Sequence, residues 1–522
     1  MNRRLSGTSI IGGARGAQTG RTFRAFDPRT GVETGPDFYS ASPEELARAV
    51  SRAAAARLET AALSGKRKGE FLRRIAANIE ALDETLIERA MRETALPEAR
   101  VRGERARTCA QLRLFAALVE DGSWVDARID RADPSRQPLP KPDVRSMKRA
   151  LGPAAVFCAS NFPLAFSVAG GDTASAFAAG CPVIVIAHPA HPGTAELAGL
   201  AIADAVARCG LPEGAFSLLF SGDHETGQAL VRHEEIRAVG FTGSRAGGRA
   251  LMDIAAARTE PIPVFAEMSS INPVFILPGA LAARPDEIAA GLHASFTMGA
   301  GQFCTKPGIV VLPAAHEDFA AKLLELAGST PPASLLTPGI RANYEKGIME
   351  RSGTVSGRMG DNELSGLAVN TSAFLTTAEV FLKDPSLADE IFGPTTLLAA
   401  SENREQTLAL ARSLEGQLTA SVFGTEKDLK DFADLIAILE TKAGRLIFNA
   451  FPTGVEVCHS MVHGGPYPAT SDPRSTSVGT RAIDRFSRLV CYQGFPEDAL
   501  PDELKDENPL GIRRMVDGEY VK

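Results

Sequence analysis

The sequence predicts an α/β protein built on parallel sheet wrapped by helices. Three observations carry that expectation. From residue 151 onward, short apolar runs alternate with loops and helical segments, the pattern of strand–helix–strand crossovers. One run, Pro182-Val183-Ile184-Val185-Ile186, is apolar without a break, as a strand buried on both sheet faces must be. The proline-rich stretch 122–150 interrupts the chain with turn chemistry flanked by alternating residues, which predicts a projecting hairpin.

Taken in order, Ser9-Ile10-Ile11-Gly12-Gly13 and Thr22-Phe23-Arg24-Ala25-Phe26 are expected to form two short strands joined by a turn. Ser42-Pro43-Glu44-Glu45 has the composition of a helix start: an N-cap serine, proline at the first position, acids in the first turn. Alanine-rich helices follow to about residue 120, with Leu72, Ile75, Ile79, Leu82, Leu86 and Ile87 at helical spacing. The flanks of the hairpin, 124–129 and 144–149, alternate as strands, and such an edge usually needs a partner. The series then runs strand 154–157, helix 172–179, strand 182–186, and a long helix capped by Thr194 that ends near Cys209-Gly210. Strand 216–220, a helix around 226–233, and strands 238–241 and 264–267 complete it. After Asn272 a second set is expected: strand 273–277, helices 282–299 and 316–327, and strands near 308–312, 395–400 and 418–423. Residues 328–375 carry no legible pattern, and the tail from 495 is rich in acids and prolines.

Bulk properties narrow the function. The chain has 522 residues, a length typical of about three domains or lobes. Apolar content of 44% and charged content of 23% are ordinary for a globular protein. A net charge of -7 argues against nucleic-acid binding, which needs clustered basic residues. The seven cysteines, at 109, 158, 181, 209, 304, 458 and 491, are odd in number and include no CxxC. Neither a disulfide framework nor a metal site is expected from them, and reduced thiols fit a cytoplasmic location. Arg3-Arg4 is followed by no apolar h-region, and the apolar stretch 151–171 is broken by Pro153, Asn161 and Pro163, so neither export nor a membrane span is expected.

Four places carry candidate chemistry. Gly299-Ala300-Gly301-Gln302-Phe303-Cys304-Thr305 is a small-residue loop delivering one thiol, which could attack a carbonyl and hold a thioester. The bland alternative is a buried small hydrophobe. Phe241-Thr242-Gly243-Ser244-Arg245-Ala246-Gly247-Gly248 joins a strand to a helix and could present amides to a pyrophosphate, or be a simple turn. Glu267 ends a strand among apolar residues; desolvation there would raise its pKa and make it a base, unless it belongs to a buried ion pair. Asn161 could supply an amide donor to an oxyanion, or form an Asx-turn before Pro163.

In order along the chain, Ser160-Asn161-Phe162-Pro163, Phe241-Thr242-Gly243-Ser244, Glu267-Met268, Gly301-Gln302-Phe303-Cys304 and Glu390-Ile391-Phe392-Gly393-Pro394 resemble the motifs of the NAD(P)-dependent aldehyde dehydrogenase superfamily. The resemblance extends from about residue 7 to 495. The longer strings at 159–173 and 451–459, with His463-Gly464-Gly465-Pro466 and Ala469-Thr470-Ser471-Asp472, are similar to the branch of 2,5-dioxopentanoate (α-ketoglutarate semialdehyde) dehydrogenases, which also holds NADP-linked long-chain aldehyde dehydrogenases. The resemblance implies a modified Rossmann cofactor domain (1–121 and 151–271), an α/β catalytic domain (272–484), and a β-hairpin oligomerisation arm with a C-terminal tail (122–150 and 485–522), the hairpin pairing with residues near 485–495. It implies that Cys304 attacks the aldehyde, that Asn161 and the amide of Cys304 hold the oxygen, and that Glu267 activates the water that hydrolyses the thioester. Gly243, Ser244 and Gly248 would face the pyrophosphate, and Glu390 and Phe392 the nicotinamide ribose and ring. A homodimer or homotetramer is implied, with a small-molecule aldehyde as substrate and no nucleic acid or membrane partner.

One position departs from the family. Its usual lysine at the adenosine ribose is Ile186 here, within Val185-Ile186-Ala187-His188-Pro189, and the glutamate common three residues on is Pro189. Ile186 and His188 are the residues at this end of the cofactor site. The acid that would repel a 2′-phosphate is missing and so is the base that would attract it; Arg245 and His224 are the candidate replacements. NADP or NAD is expected, NADP slightly favoured. His459 and His463 sit in a Gly/Pro-rich segment without metal-ligand spacing and are expected to serve packing. A dicarboxylate-derived aldehyde would need a cation for its far carboxylate, and no single arginine is marked for it. The alternatives are a medium- or long-chain aldehyde dehydrogenase and a cofactor-impaired structural or regulatory relative.

Overall fold

The structure, a computed structural model, describes residues 4–314 and 317–522. Arg3 and the first residue of the helix expected at 316–327 lie outside the described residues.

Two seven-stranded sheets organise the chain. The first runs Val264–Glu267, Ala238–Thr242, Ala154–Phe157, Val183–Ile186, Phe216–Leu219, Ile10–Ile11, Ala14–Arg15. Its first five strands are parallel. The strand Val183–Ile186 is buried on both faces, as its unbroken apolar run requires. Val183 and Val185 pack with Ile75, Leu112 and Phe216 on one side, and Ile184 and Ile186 with Val50, Leu230 and Leu251 on the other. From Ala154–Phe157 the chain winds outward through Val183–Ile186 and Phe216–Leu219, then returns to add Ala238–Thr242 on the opposite side. The strand order therefore reverses between Ala154–Phe157 and Ala238–Thr242. A crevice opens at such a switch point, beyond the carboxyl ends of the strands. Thr242 stands beside Glu267 there, and Phe157 beside Ile186.

The second sheet runs Ser356–Met359, Ser372–Thr377, Thr395–Ser401, Ile309–Pro313, Val274–Ile276, Gln417–Phe423, Ala443–Phe448. A third, of five strands, joins Ser487–Gln493 to Val144–Ala150 in antiparallel register, from Ser487 opposite Ala150 to Gln493 opposite Val144. Arg128–Asp130 continues it, and the tail adds Arg514–Val516 and Glu519–Val521. Among the described residues no helix is long and apolar enough to cross a membrane.

Several local expectations are corrected. Ile10–Ile11 pairs with Ala14–Arg15 and Phe216–Leu219, not with the segment at 22–26, because Gly12 and Gly13 at φ 54 and 80 turn the chain back at once. Thr22–Asp27 pairs instead with Val32–Tyr39. Ser42 and Glu45 form the capping box that starts Pro43–Ala62. The long helix is Pro192–Arg208 and begins before Thr194. The buried carboxylate of Glu93 accepts from the amides of Gly193 and Thr194, each at 2.8 Å, so a distant acid does the work assigned to Thr194. The helix expected at 282–299 is two, Pro278–Ala283 and Pro285–Thr297, because Pro285 holds Arg284 out of helical geometry. The segment at 123–125 is a helical turn rather than strand.

Candidate active site

The thiol loop is built by backbone that few residues tolerate. After Pro285–Thr297, Gly299, Ala300 and Gly301 take φ of 59, 58 and 66. Gly301 has a second constraint: a Cβ there would overlap the carbonyl of Gly393. The cysteine loop and the Glu390–Pro394 loop therefore meet backbone to backbone, which only glycine at 301 permits. Asn272, itself at φ 48, donates from Nδ2 to the carbonyls of Cys304 at 2.8 Å and Lys306 at 3.0 Å, fixing the far side of the loop.

The structure brings the dispersed motifs together. Cys304, Glu267 and Asn161 line one groove of about 870 Å³ with His188, Thr242, Gly243, Ser244, Glu390 and Phe392. That groove occupies the crevice at the switch point and lies within the size range of small-molecule and cofactor sites. Asn161 donates from Nδ2 to the carbonyl of Gln302 at 2.9 Å, which ties the loop after the first strand to the thiol loop. Its amide points across the site rather than into an Asx-turn.

Glu267 is buried and held by two donors. His463 Nε2 lies 3.0 Å from Oε1, and Ser477 Oγ donates to Oε2 at 2.8 Å. Burial pushes this carboxyl up, but His463, Ser477 and Cys304 together outweigh it, and the net shift is downward. The raised pKa expected from desolvation alone is thus corrected: the strand end is apolar, but its neighbours from residues 463–477 are not. Cys304 behaves oppositely. Burial, then the adjacent Glu267 charge, push its thiol well above 9.0. The resting site therefore holds a protonated thiol beside an ionised acid.

His463 is the residue the sequence reading left to packing. Its Nε2 is also 3.4 Å from Cys304 Sγ, so one nitrogen serves both acid and thiol. The ring is fully buried, and Nδ1 has no hydrogen-bond partner among the described residues. The segment carrying it is stitched to the end of the Glu267 strand: Met268 N donates to Ala469 O at 2.8 Å and Ser471 N to Ala266 O at 3.0 Å. Ligating atoms of Glu267, Cys304 and His463 lie within 4.8 Å of one another, a donor cluster that sequence spacing did not suggest.

At the other end of the groove, Ser244 caps the helix Arg245–Ala256 by accepting from Gly247 N at 3.2 Å. The helix N-terminus opens beside Thr242 and Gly243, and this suits an anion such as a pyrophosphate. Gly248 packs against Met268 instead of lining the groove. Ile186, expected at the adenosine ribose, lies in the apolar core with Leu219 and Val231, because an isoleucine in the last strand position gains more from burial than from the groove. His188 does line it. Its Nδ1 accepts from Ala190 N at 3.1 Å, its ring stacks on His191 at 5.7 Å, and burial, then His191 and His224, press its pKa down to about 3. It is a neutral ring whose remaining nitrogen is a donor. Of the two candidate replacements for the missing lysine, His224 neighbours His188, whereas Arg245 is engaged with Glu415 at 2.8 Å. Glu390 is raised by burial, against the pull of Lys306, whose ammonium bonds the carbonyls of Ile391 at 3.2 Å and Thr395 at 2.9 Å.

The chain is similar to known proteins along nearly its whole length. Residues 15–467 match the aldehyde dehydrogenase family. The chain is 48% identical over 521 residues to alpha-ketoglutaric semialdehyde dehydrogenase 2 of Azospirillum brasilense, covering 99% of each. It is 44% identical over 519 residues to the alpha-ketoglutaric semialdehyde dehydrogenase of Acinetobacter baylyi, covering 98% of each. Among solved structures, the NAD+ complex of an aldehyde dehydrogenase from Bacillus cereus shares the fold at a TM-score of 0.79 and 20% identity, over 93% of this chain and 96% of that one. PnpE of Pseudomonas sp. WBC-3 does so at 0.79 and 20%, over 93% and 97%. The chain therefore belongs to the aldehyde dehydrogenase family, NAD(P)-dependent oxidoreductases acting on aldehydes.

Proposed function

We propose that this protein oxidises 2,5-dioxopentanoate to 2-oxoglutarate through a thioester on Cys304. The observation that carries the mechanism is the contact of one His463 nitrogen with both Glu267, at 3.0 Å, and Cys304, at 3.4 Å, inside the groove. The names of the two relatives that match nearly end to end support the substrate.

Bound NAD(P)+ supplies the hydride acceptor. The chain's own residues do the rest. Glu267, already ionised, takes the thiol proton as Cys304 Sγ adds to the aldehyde carbon, and the His463 N–H steadies the anionic pair. Asn161 Nδ2 and the Cys304 amide stabilise the oxyanion, a charge that appears only during reaction. After hydride departs, Glu267, having passed the thiol proton on to solvent, draws a proton from the attacking water and returns it to the departing Cys304 thiolate as the acid is released. Gly243 and Ser244 would hold the pyrophosphate, His188 the adenosine ribose, and Glu390 and Phe392 the nicotinamide ribose and ring. Gly248 would support that turn from behind. Both nucleotides are accommodated, with NADP slightly favoured because Pro189 offers no acid to repel its phosphate and His224 stands near His188.

We read the protein as a cytoplasmic homo-oligomer. Ser487–Gln493 closes one edge of the five-stranded sheet, and Leu489 on it is 62% exposed, an edge that association would cover. The assembled Cys304–His463–Glu267 group argues against a purely structural role. Steady-state kinetics on 2,5-dioxopentanoate and on a long-chain aldehyde, each with NAD and NADP, test the reading. A higher kcat/KM for the long-chain aldehyde would replace the proposed substrate.

A further inference from the structure

The groove described above accounts for one side of Cys304. A second group of residues approaches the same sulfur from the helix Glu98–Asp121. Glu104 clamps this helix to the oxyanion loop by accepting from the amides of Leu164 and Ala165 at 2.8 and 2.9 Å. One turn on, the Arg107 guanidinium lies over the ring of Phe166 at 5.3 Å, and Phe166 faces the ring of His463 at 6.2 Å. Arg107 lies within electrostatic reach of both Cys304 and Glu267.

Three arginines reach Cys304 electrostatically, and two are committed elsewhere. Arg100 is held between Phe162 and Phe303 at 4.4 and 4.5 Å and lies 3.7 Å from Glu104. Arg445 donates to the carbonyls of Pro452 at 2.8 Å and Gly454 at 3.1 Å. Arg107 makes no hydrogen bond or close ion pair among the described residues, and its Nη1 is buried with no partner. Arg107 is half-buried, its guanidinium stays charged even where burial opposes it, and a buried N–H left without a partner is costly. A group left in that condition beside a reactive centre is one awaiting an anion.

We propose that Arg107 binds the far carboxylate of the substrate, accepting a short aldehyde acid whose aldehyde carbon rests at Cys304. This rests on the substrate reading given above. A guanidinium suits the task because its fork matches a carboxylate with two parallel donors. The ring of Phe166 covers the guanidinium and shields the pair from water. The specificity follows from the penalty: an uncharged aldehyde leaves Arg107 unpaired, whereas an aldehyde acid satisfies it.

The test is steady-state kinetics of the full-length protein and of Arg107→Met and Arg107→Lys on 2,5-dioxopentanoate and on pentanal, which has the same number of carbons and no carboxylate. The unaltered protein is expected to prefer 2,5-dioxopentanoate. Arg107→Met is expected to raise KM for it by about ten- to a hundredfold, the loss of one charge-assisted contact, with kcat for pentanal kept and its KM unchanged or lower. Arg107→Lys, which keeps the charge without the fork, is expected to raise KM for the acid by less and to leave pentanal unchanged. If Arg107→Met does not fold, the lysine variant alone decides, by whether KM for the acid moves while pentanal does not. Preference intact in the unaltered protein and in both variants overturns the role of Arg107 alone. No preference in the unaltered protein overturns the substrate reading together with it.

Discussion

His463 Nε2 donates to Oε1 of Glu267 across 3.0 Å, and the same nitrogen stands 3.4 Å from Cys304 Sγ. The acid is thereby kept ionised in a buried site, and the thiol it faces is kept protonated. Burial and the Glu267 charge hold the thiol up, while His463, Ser477 and Cys304 hold the acid down, so the two groups sit together with opposite shifts.

Replacing the histidine tests that coupling. His463→Ala removes a donor that lowers the Glu267 carboxyl, so its pKa should rise toward the value burial dictates. Activity carried by the ionised acid is present above that pKa and lost as pH falls through it. The acid limb of the kcat/KM profile should therefore move to higher pH, because both the charge and the hydrogen bond of His463 are lost. An unmoved acid limb would mean that His463 only fills space.

Glu267→Gln should act on the thiol as well as on water. The Glu267 charge is among the causes that raise the Cys304 thiol, so its removal should let the thiol ionise at lower pH. Iodoacetamide alkylation measured against pH should show the apparent thiol pKa falling in the variant. Turnover should drop by about a hundredfold or more, as expected on removing a general base.

The adenosine end offers a gain-of-function test. In Ile186→Lys the lysine stem is expected to stay in the apolar core while its ammonium extends out to the groove. NADP should bind about ten- to a hundredfold more tightly, by titration calorimetry, with a smaller change for NAD. His188, at about 3, stays neutral throughout the ordinary histidine range, so it should add no NADP affinity as pH is lowered through 6.5.

Gly301→Ala should be severe although it adds a single methyl. The Cβ would overlap the Gly393 carbonyl, and φ is already 66. The two loops must part, carrying Cys304 away from Asn161 and Glu390 away from the groove. A loss in kcat of about a hundredfold is expected, the cost of a displacement on the order of 1 Å at a reacting group, with a melting temperature lowered by only a few degrees. Full activity would show that the loop contact is not needed.

Much of this was legible in the chain itself. Val264–Glu267 falls at the expected residues, and the continuous burial of Val183–Ile186 followed from its composition. Cys304, Glu267 and Asn161 stood out because each sits where backbone chemistry is unusual: a glycine loop, a strand end, a turn before proline. The helix Pro338–Ser352 was not legible because it buries only Tyr344, Ile348 and Arg351, too few to make a stripe. The strands Arg514–Val516 and Glu519–Val521 are three residues each, the second fully exposed, and a neighbouring sheet edge, not their composition, makes them strands. His463 was hidden for a different reason. It lies 159 residues from Cys304 along the chain, and no local pattern encodes a contact made by folding one segment onto the end of another strand. Arg107 was hidden among many arginines, and only the bonds made by the others single it out.

The central claim is that the acyl group passes through the sulfur of Cys304. Mass spectrometry of Glu267→Gln, quenched in acid during turnover of 2,5-dioxopentanoate with bound coenzyme, tests it directly. The account predicts an acyl adduct on the peptide containing Cys304, formed in step with the burst of reduced coenzyme and absent from Cys304→Ala. A burst with no adduct there, or an adduct on another residue, would contradict it.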